Sequence, residues 1–341
     1  MRQAVLIDRE KIILRDVPEP SVREKQVLIR VKRIGICGSD IHAYYGKHPF
    51  ISFPIVQGHE FSGEVVAAGD KVAMFKPGDR VTVRPQLTCG QCYHCTHGDY
   101  HICDNLKVIG CQADGAAQEL FAVDEKLVVK LPPEISFDFG AMVEPLAVGV
   151  HAVLKLGNLT GKRVLILGGG PIGLLTAQAA RALGAENIII TDILDYRLEI
   201  ARQCGLENTV NPRRSNLEEE ILKHFGPNKA DGIIECVGSE ETANLAIHLS
   251  RKGSSIVIVG VFGSIPRVEL GLVQDRELKL VGSLMYKEED YHLAIGLLEK
   301  GKVNLQPLIT KHFKFADYPA TYKYIDDNKD KTMKVLIDLD L

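Results

Sequence analysis

A glycine-rich loop in the middle of the chain limits most strongly what this sequence can fold into. Residues 163–167 form the apolar run Arg-Val-Leu-Ile-Leu, and the loop Gly-Gly-Gly-Pro-Ile-Gly follows directly at residues 168–173. Continuous apolar runs of this kind are typical of strands in a parallel sheet that helices cover on both faces. Because a helix-like stretch follows the loop, the order of strand, loop and helix predicts a doubly wound α/β domain.

The spacing of the loop residues matches a site for the pyrophosphate of a dinucleotide. Gly168 makes the tight turn after the strand, and Gly170 leaves room for the pyrophosphate to approach the backbone. Gly173 allows the helix to pack closely against the strand, while the helix opens at Pro171 and Ile172 with its N-terminus facing the phosphates. The alternative is an ordinary glycine turn in an α/β domain.

An acidic residue supports the dinucleotide interpretation and favours NAD. Asp192 ends the next apolar run, at residues 187–192, and lies 19 positions after Gly173. A carboxylate at this place accepts hydrogen bonds from the ribose hydroxyls and repels a 2′-phosphate, so NAD is favoured over NADP. Arg197, five residues further on, works against that preference because a guanidinium group could bind a phosphate.

The N-terminal part of the chain has a different pattern of apolar residues and turns. Short β-rich runs are separated by charged or proline- and glycine-containing turns, and they occur at residues 4–7, 11–14, 27–31, 62–68 and 80–83. Many short strands with such turns predict a partly closed β-barrel and not a βαβ unit. The length of 341 residues also indicates about two domains.

Four cysteines lie close together in the pattern Cys89-x2-Cys92-x2-Cys95-x7-Cys103. This spacing brings four sulfur atoms within reach of one tetrahedral zinc ion. A shell of four thiolates leaves no open coordination position, so the predicted zinc is structural and stabilises a loop. A redox or iron–sulfur role is the alternative.

A second candidate metal site lies between residues 37 and 60. Cys37, His59 and Glu60 offer a thiolate, an imidazole and a carboxylate, which is a mixed ligand set typical of zinc that takes part in chemistry. The alternative is that Cys37 is a small buried residue and His59 a hydrogen-bonded loop histidine.

Composition argues against several classes of protein. The net charge is −3 with both signs interspersed and no basic run, so nothing in the bulk charge attracts nucleic acid or an anionic membrane. Charged residues at positions 8–10 interrupt the apolar core that a signal peptide needs, and no apolar run approaches the ~18–20 residues of a membrane span. We therefore expect a cytoplasmic protein whose eight cysteines serve mainly as metal ligands.

Taken together, these motifs carry a family resemblance over essentially the whole chain. The order of Cys-Gly-Ser-Asp-Ile-His at residues 37–42, Gly-His-Glu at residues 58–60, the cysteine lobe and the dinucleotide loop resembles the zinc-containing medium-chain dehydrogenase/reductase superfamily. The resemblance implies a GroES-like β-barrel catalytic domain at residues 1–150, rejoined by residues 287–341. It implies a Rossmann NAD-binding domain, a doubly wound parallel sheet, at residues 151–286.

One segment resembles a branch of that superfamily. Residues 143–152, Val-Glu-Pro-Leu-Ala-Val-Gly-Val-His-Ala, look like the polyol branch, which includes sorbitol (L-iditol), galactitol and sugar-acid dehydrogenases. Simple alcohol dehydrogenases carry a cysteine where Glu144 falls, and threonine dehydrogenases usually an aspartate before a Pro-Phe-Gly-Asn run. This chain departs from the family at Ala116 and Ala117, where a glycine and an aromatic residue are usual.

By this resemblance the chain holds two zinc ions and NAD. Cys37, His59 and Glu60 are expected to bind the catalytic zinc, with Glu144 in or just outside its shell, directly or through water. The four-cysteine lobe is expected to bind the structural zinc.

The resemblance also implies a path for the proton of the alcohol. Zinc lowers the pKa of a bound hydroxyl group, so that its proton leaves near neutral pH. Ser39 is expected to take that proton, and His42 to pass it towards solvent. The alternatives are a helix-capping role for Ser39 and a plain surface position for His42.

The sequence therefore predicts an NAD-dependent enzyme that interconverts a secondary alcohol of a polyol, sugar or sugar acid with its ketone. L-threonine 3-dehydrogenase and 2,3-butanediol dehydrogenase are the alternatives within the class. A non-catalytic cofactor-binding regulator is the alternative from another class. The family resemblance further suggests a homotetramer or a homodimer.

Overall fold

The computed structural model describes residues 1–339, and the chain forms two compact units. The first unit comprises Met1–Glu144 together with the C-terminal segment that starts at Ile309, and the second comprises Pro145–Leu308. Positions 340 and 341, which were also expected in the first domain, lie outside the described residues.

The strands follow one another through both units. They are β1 (Arg2–Asp8), β2 (Lys11–Asp16), β3 (Gln26–Gly35), β4 (Glu60–Ala68), β5 (Arg80–Val83), β6 (Gln86–Leu87), β7 (Lys107–Val108), β8 (Leu120–Asp124), β9 (Val128–Lys130), β10 (Arg163–Leu167), β11 (Asn187–Thr191), β12 (Asn208–Val210), β13 (Gly232–Glu235), β14 (Ser255–Ile258), β15 (Lys279–Gly282), β16 (Ile309–Lys314) and β17 (Lys334–Asp338).

The helices are concentrated in the second unit. They are α1 (Gly38–Tyr44), α2 (Tyr93–Thr96), α3 (Phe137–Ala141), α4 (Val143–Leu154), α5 (Pro171–Ala182), α6 (Asp195–Gln203), α7 (Leu217–Phe225), α8 (Glu240–Leu249), α9 (Leu270–Asp275), α10 (Glu288–Glu299) and α11 (Tyr318–Asp327). None of the helices in residues 1–339 is long and apolar enough to cross a membrane.

A seven-stranded sheet organises the first unit. Its strands lie in the order β16-β17-β3-β4-β5-β9, and β8 pairs with the first half of β3. The long strand β3 therefore has three neighbours, all antiparallel to it. Val27, Ile29 and Val31 of β3 are fully buried, because a strand directs alternate side chains to one face. The predicted short strands of this region are confirmed.

A six-stranded parallel sheet organises the second unit. Its order is β12-β11-β10-β13-β14-β15 with every neighbouring pair parallel. Numbered from β10, this is the 3-2-1-4-5-6 order of the doubly wound nucleotide-binding fold. Leu165, Ile189, Ile233 and Ile256 are completely buried in it. The predicted Rossmann fold is confirmed.

The boundary between the units differs from the one expected from the sequence. Residues 145–150 and 287–308 belong to the second unit, not to the first. The physical reason is local packing: α10 lies against α5, and the carboxylate of Asp290 is 2.6 Å from Nδ1 of the buried His151 in α4. The chain returns to the first unit later, through β16 and β17.

Candidate active site

Strand pairing brings the three residues of the second candidate metal site together. The register of β3 and β4 places Glu60 opposite Gly35, and His59 precedes Glu60 directly. Cys37 follows β3 by two residues and is the N-cap of α1. One ligand atom from each of Cys37, His59 and Glu60 lies within 4.8 Å of the other two, so the set could hold one metal ion.

A missing side chain makes room for the carboxylate of Glu60. A Cβ atom added at Gly35 would overlap Oε2 of Glu60 and lie 3.2 Å from its Cβ. Only glycine therefore allows the β3–β4 pair to close with the Glu60 carboxylate in this position. This cradle, combined with sulfur, nitrogen and oxygen donors, fits a zinc ion.

Asp40 is a buried carboxylate that the sequence reasoning missed. Its Oδ2 accepts a hydrogen bond from the backbone N–H of Cys37 at 2.9 Å, and its Oδ1 lies 3.7 Å from Nδ1 of His59. Within the described part of the chain, neither Oδ1 nor Nδ1 has a hydrogen-bond partner, although both are buried. A carboxylate behind one ring nitrogen is the usual support of a histidine that binds metal through the other. Its position three residues after Cys37 was a signal that could have identified it.

The charges around His59 favour a cation at this place. Burial by itself lowers the pKa of His59, but the negative charges of Asp40 and Cys37 outweigh it and raise the pKa well above its usual value. The Cys111 thiol contributes to the raised pKa of His59 in the same direction. Metal binding displaces a proton from a histidine ligand, so the same negative charges would stabilise a bound zinc ion.

Lys334 is the second residue that the sequence reasoning missed, and no local sequence signal points to it. It lies on β17, is buried, and donates to both carboxylate oxygens of Glu60 at 2.6 and 2.8 Å. The two residues are 274 positions apart and meet because β3 pairs with β4 on one side and with β17 on the other.

The four-cysteine lobe has the geometry that its spacing predicts. Sulfur atoms of Cys89, Cys92, Cys95 and Cys103 all lie within 4.8 Å of one another, with separations of 3.5, 3.8 and 4.0 Å for three pairs. Four sulfurs at 2.3 Å from a tetrahedral zinc lie about 3.8 Å apart. Backbone N–H groups of Cys89, Cys92 and Asn105 donate to sulfur atoms of the lobe, which favours thiolates there. The lobe therefore fits zinc.

The glycine loop also has its predicted shape. Gly168 has a φ of +103°, which a residue with a side chain rarely adopts, and Gly170 is the N-cap of α5. A Cβ at Gly173 would overlap the carbonyl oxygen of Gly168, so only glycine permits this close packing. Pro171 is the first residue of the helix and Ile172 the second, and both are half-buried.

Asp192 closes the loop from the neighbouring strand. Its Oδ2 accepts a hydrogen bond from the N–H of Gly169 at 2.9 Å, and its Oδ1 accepts one from Leu194 at 2.9 Å. Nη1 of Arg197 lies 3.2 Å from the same carboxylate. The predicted cofactor residues are thus adjacent, and an acidic group stands at the carboxyl end of β11.

Comparison with known proteins decides the family. The alcohol dehydrogenase GroES-like domain matches residues 23–133, and the zinc-binding dehydrogenase domain matches residues 171–300. Sorbitol dehydrogenase 2 of Saccharomyces cerevisiae is 35% identical over 338 residues, which cover 96% of this chain and 94% of the yeast protein. The chain belongs to the zinc-containing medium-chain dehydrogenases. The predicted superfamily, its polyol branch and the GroES-like domain are confirmed.

Solved structures agree with this assignment. The structure of a protein described as a zinc-binding dehydrogenase from Sinorhizobium meliloti, bound to NADP, has a TM-score of 0.90 and 32% identity, with 99% of this chain and 98% of the other covered. Galactitol-1-phosphate dehydrogenase from Escherichia coli has a TM-score of 0.92 and 29% identity, with coverages of 99% and 100%. The medium-chain dehydrogenase is therefore an enzyme that uses zinc and a nicotinamide cofactor.

Three further residues of the dehydrogenase were predicted to act together with the Cys37–His59–Glu60 group. Ser39 and His42 are both on α1, three residues apart and thus on one face of the helix. Ser39 is half-buried and His42 exposed. Glu144 is buried at the start of α4, but its carboxylate is not part of the group within 4.8 Å. Direct zinc binding by Glu144 stays a prediction.

Proposed function

We propose that this dehydrogenase transfers hydride between NAD and a secondary alcohol of a polyol, sugar or sugar acid, with the ketone as product. The observation that carries the proposal is the convergence of Cys37, His59 and Glu60 at one point in a chain of this family. Glu144 is kept as a fourth ligand that acts directly or through water.

The roles of the chain's own residues follow from their positions. When bound, zinc supplies Lewis acidity and the nicotinamide accepts the hydride. Cys37, His59 and Glu60 would hold the metal, and Asp40 would orient the imidazole of His59 through Nδ1. Ligands fixed in this way would hold a metal-bound hydroxyl group in one orientation, and such positioning lowers the barrier of a reaction.

Ser39 and His42 form the proposed proton path. Ser39 takes the hydroxyl proton of the substrate and His42 passes it to water. Their shared helix face and the change from half-buried Ser39 to exposed His42 support this direction of transfer. An imidazole suits the second step because one ring nitrogen can accept a proton while the other releases one.

A second zinc ion in the cysteine lobe is part of the proposal. The sulfur separations of 3.5 to 4.0 Å support it, and so does the full set of four thiols, which leaves no position for a substrate. Its role is to order residues 89–103, whose own helix α2 has only four residues.

We further propose NAD in preference to NADP. Asp192 is buried, with 7% of its surface exposed, directly after β11. Its carboxylate would repel the 2′-phosphate of NADP at this place. Arg197 is already paired with that carboxylate, which reduces its availability for a phosphate. The ratio of kcat/KM for NAD and NADP tests this point, and Asp192→Ser should move the ratio towards NADP.

The polyol class of substrate rests on the relatives. Sorbitol dehydrogenase 2 and galactitol-1-phosphate dehydrogenase both act, by their names, on sugar alcohols or a phosphorylated one. The test is a panel of polyols, aldonates, L-threonine and 2,3-butanediol with NAD, followed by identification of the ketone. Turnover confined to threonine or butanediol would replace the proposal by one of the alternatives within the class.

A paired set of variants tests whether zinc and catalysis belong together. Cys37→Ser should abolish turnover and lower the zinc content by one ion per chain, while NADH binding is unchanged. Cys204→Ser is the matched control, because Cys204 is a buried thiol of the second unit outside both metal groups. Full turnover in zinc-stripped enzyme would refute the proposal, and zinc-loaded protein without turnover on the whole panel would favour a non-catalytic regulator.

A homo-oligomer in the cytoplasm completes the proposal. Strand β15 is an edge of the parallel sheet, and its Leu280 is an exposed apolar side chain. Large apolar side chains are also exposed at Val261 and Ile265. Exposed edges and apolar residues are features that association usually covers. All eight cysteines are free, as is typical of a reducing compartment. Light scattering distinguishes dimer, tetramer and monomer, and Leu280→Glu should shift the distribution towards monomer.

A further inference from the structure

Lys334 is a buried lysine whose ammonium group is completely engaged at the candidate metal site. Its side chain is 4% exposed. Nζ donates to Oε1 and Oε2 of Glu60 at 2.8 and 2.6 Å and to the carbonyl oxygen of Ile36 at 3.2 Å. An ammonium group has three donors, so these three acceptors use all of them.

Lys334 and Glu60 form a buried ion pair. Nζ lies 2.6 Å from one carboxylate oxygen of Glu60, and the two side chains are 4% and 1% exposed. A resident cation therefore lies against one of the residues predicted to bind zinc. Any metal ion that binds there does so beside an existing positive charge.

Glu60 is thus shared between two possible partners. In the metal-free protein a buried carboxylate without a partner is strongly destabilising, and Lys334 supplies that partner. In the zinc-bound protein the metal compensates the same carboxylate, and the ammonium group repels the metal. The lysine therefore stabilises the metal-free form more than the zinc-bound form.

We propose that Lys334 is a positioning residue that holds Glu60 in place in the metal-free protein and, by sharing its carboxylate, weakens the affinity of the site for zinc. This inference rests on the proposed ligand set of Cys37, His59 and Glu60. By linkage, a residue that stabilises the metal-free form selectively must lower metal affinity by the same factor.

The experiment measures zinc affinity by competition with a chromophoric chelator and compares thermal melting with and without zinc. Lys334→Met should bind zinc more tightly, on the order of tenfold, and its metal-free form should lose more melting temperature than its zinc-bound form. Lys334→Arg keeps the charge and should stay close to wild type. Lys130→Met is the matched control, because Lys130 pairs with Asp79 at 3.1 Å elsewhere in the first unit and should change neither quantity.

Unchanged or weaker zinc binding in Lys334→Met would overturn the inference. If the methionine variant does not fold without metal, Lys334→Gln is measured instead, since it retains a neutral donor but not the charge and should also bind zinc more tightly. Unchanged or weaker binding in that variant would overturn the inference in the same way.

Glu60→Gln separates this inference from the proposed function. In the Glu60→Gln background, Lys334→Met should no longer tighten zinc binding, because the shared carboxylate is absent. If Glu60→Gln leaves zinc affinity unchanged, the proposed ligand set is wrong. If it weakens affinity while Lys334→Met has no effect in either background, only the role of Lys334 is wrong.

Discussion

Replacement of Gly173 by alanine is expected to damage the dinucleotide loop, because the added methyl group has no space. A Cβ at this position would overlap the carbonyl oxygen of Gly168 and lie 2.9 Å from its carbonyl carbon. Both atoms are backbone at the start of the loop, so neither can rotate away as a flexible side chain would. Helix α5 and the loop must therefore move apart, or the helix must shift along its axis.

The magnitude follows from two opposing terms. Overpacking against backbone costs about 3 kcal/mol, whereas the higher helix propensity of alanine offsets about 1 kcal/mol of that. We expect the second unit to lose about 2 kcal/mol of unfolding free energy, or about 4–8 °C in melting temperature. The matched control is Gly296→Ala in α10, where nothing lies within 4 Å of the added Cβ, and it should gain about 1 kcal/mol.

Calorimetry of the zinc-loaded variants measures the stability change. Cofactor binding is followed by the fluorescence of NADH itself, since the chain has no tryptophan. Gly173→Ala should bind NADH at least about tenfold more weakly, because the phosphates depend on the loop and the helix N-terminus together. If Gly173→Ala binds NADH as tightly as the wild type and has the same melting temperature as Gly296→Ala, the close packing of α5 on the loop is not required and the reasoning fails.

Other substitutions address the metal sites, the proton path and acid stability. Asp40→Asn removes the charge behind His59 and should weaken zinc binding about 10- to 100-fold in chelator competition; wild-type affinity would contradict the orienting role. Ser39→Ala should lower turnover about 10²- to 10⁴-fold and alter its pH profile with zinc content unchanged, whereas a wild-type rate and profile would mean that the relay is misassigned. Cys92→Ser should remove one zinc ion per chain by mass spectrometry and expose its loop to protease while NADH binding persists; retention of two ions would contradict the structural site. Burial raises the pKa of Asp231, but hydrogen bonds from the side chain and backbone of Arg163 outweigh it and hold the pKa below its usual value. Because the pKa of Asp231 is depressed in the folded state, the ionised carboxylate stabilises the protein above the unfolded pKa, and this stabilisation is lost as the pH falls below about 4. Arg163→Met should therefore lose less unfolding free energy per pH unit below that pH, as measured by calorimetry. The same dependence on pH as in the wild type would refute this prediction.

Patterns confined to short segments account for what the sequence predicted correctly. The spacing of the four cysteines and the strand–loop–helix order around Gly168–Gly173 each involve fewer than about two dozen residues, so the backbone geometry follows from local rules. Apolar runs likewise identified the strands of the parallel sheet, because buried strands must be apolar on both faces. The grouping of Cys37 with His59 and Glu60 was within reach for a similar reason, since one hairpin-like pairing of β3 and β4 brings them together.

Contacts between distant segments could not be predicted in this way. Lys334 reaches Glu60 across 274 positions, and α10 packs on α5 although the family resemblance placed the residues of α10 in the other domain. The approach of Asp40 to Nδ1 of His59 joins a residue of α1 to the residue that precedes β4, so it depends on tertiary packing.

The sequence by itself therefore determined which groups this dehydrogenase has available: two sets of candidate metal ligands, a glycine loop between a strand and a helix, and an acidic residue beside that loop. Only the tertiary structure decided which charges surround those ligands, namely Asp40 behind His59 and Lys334 on Glu60. The physical reason is that strand register and helix packing depend on the burial of whole faces, and a shift of one residue would turn each of these side chains away.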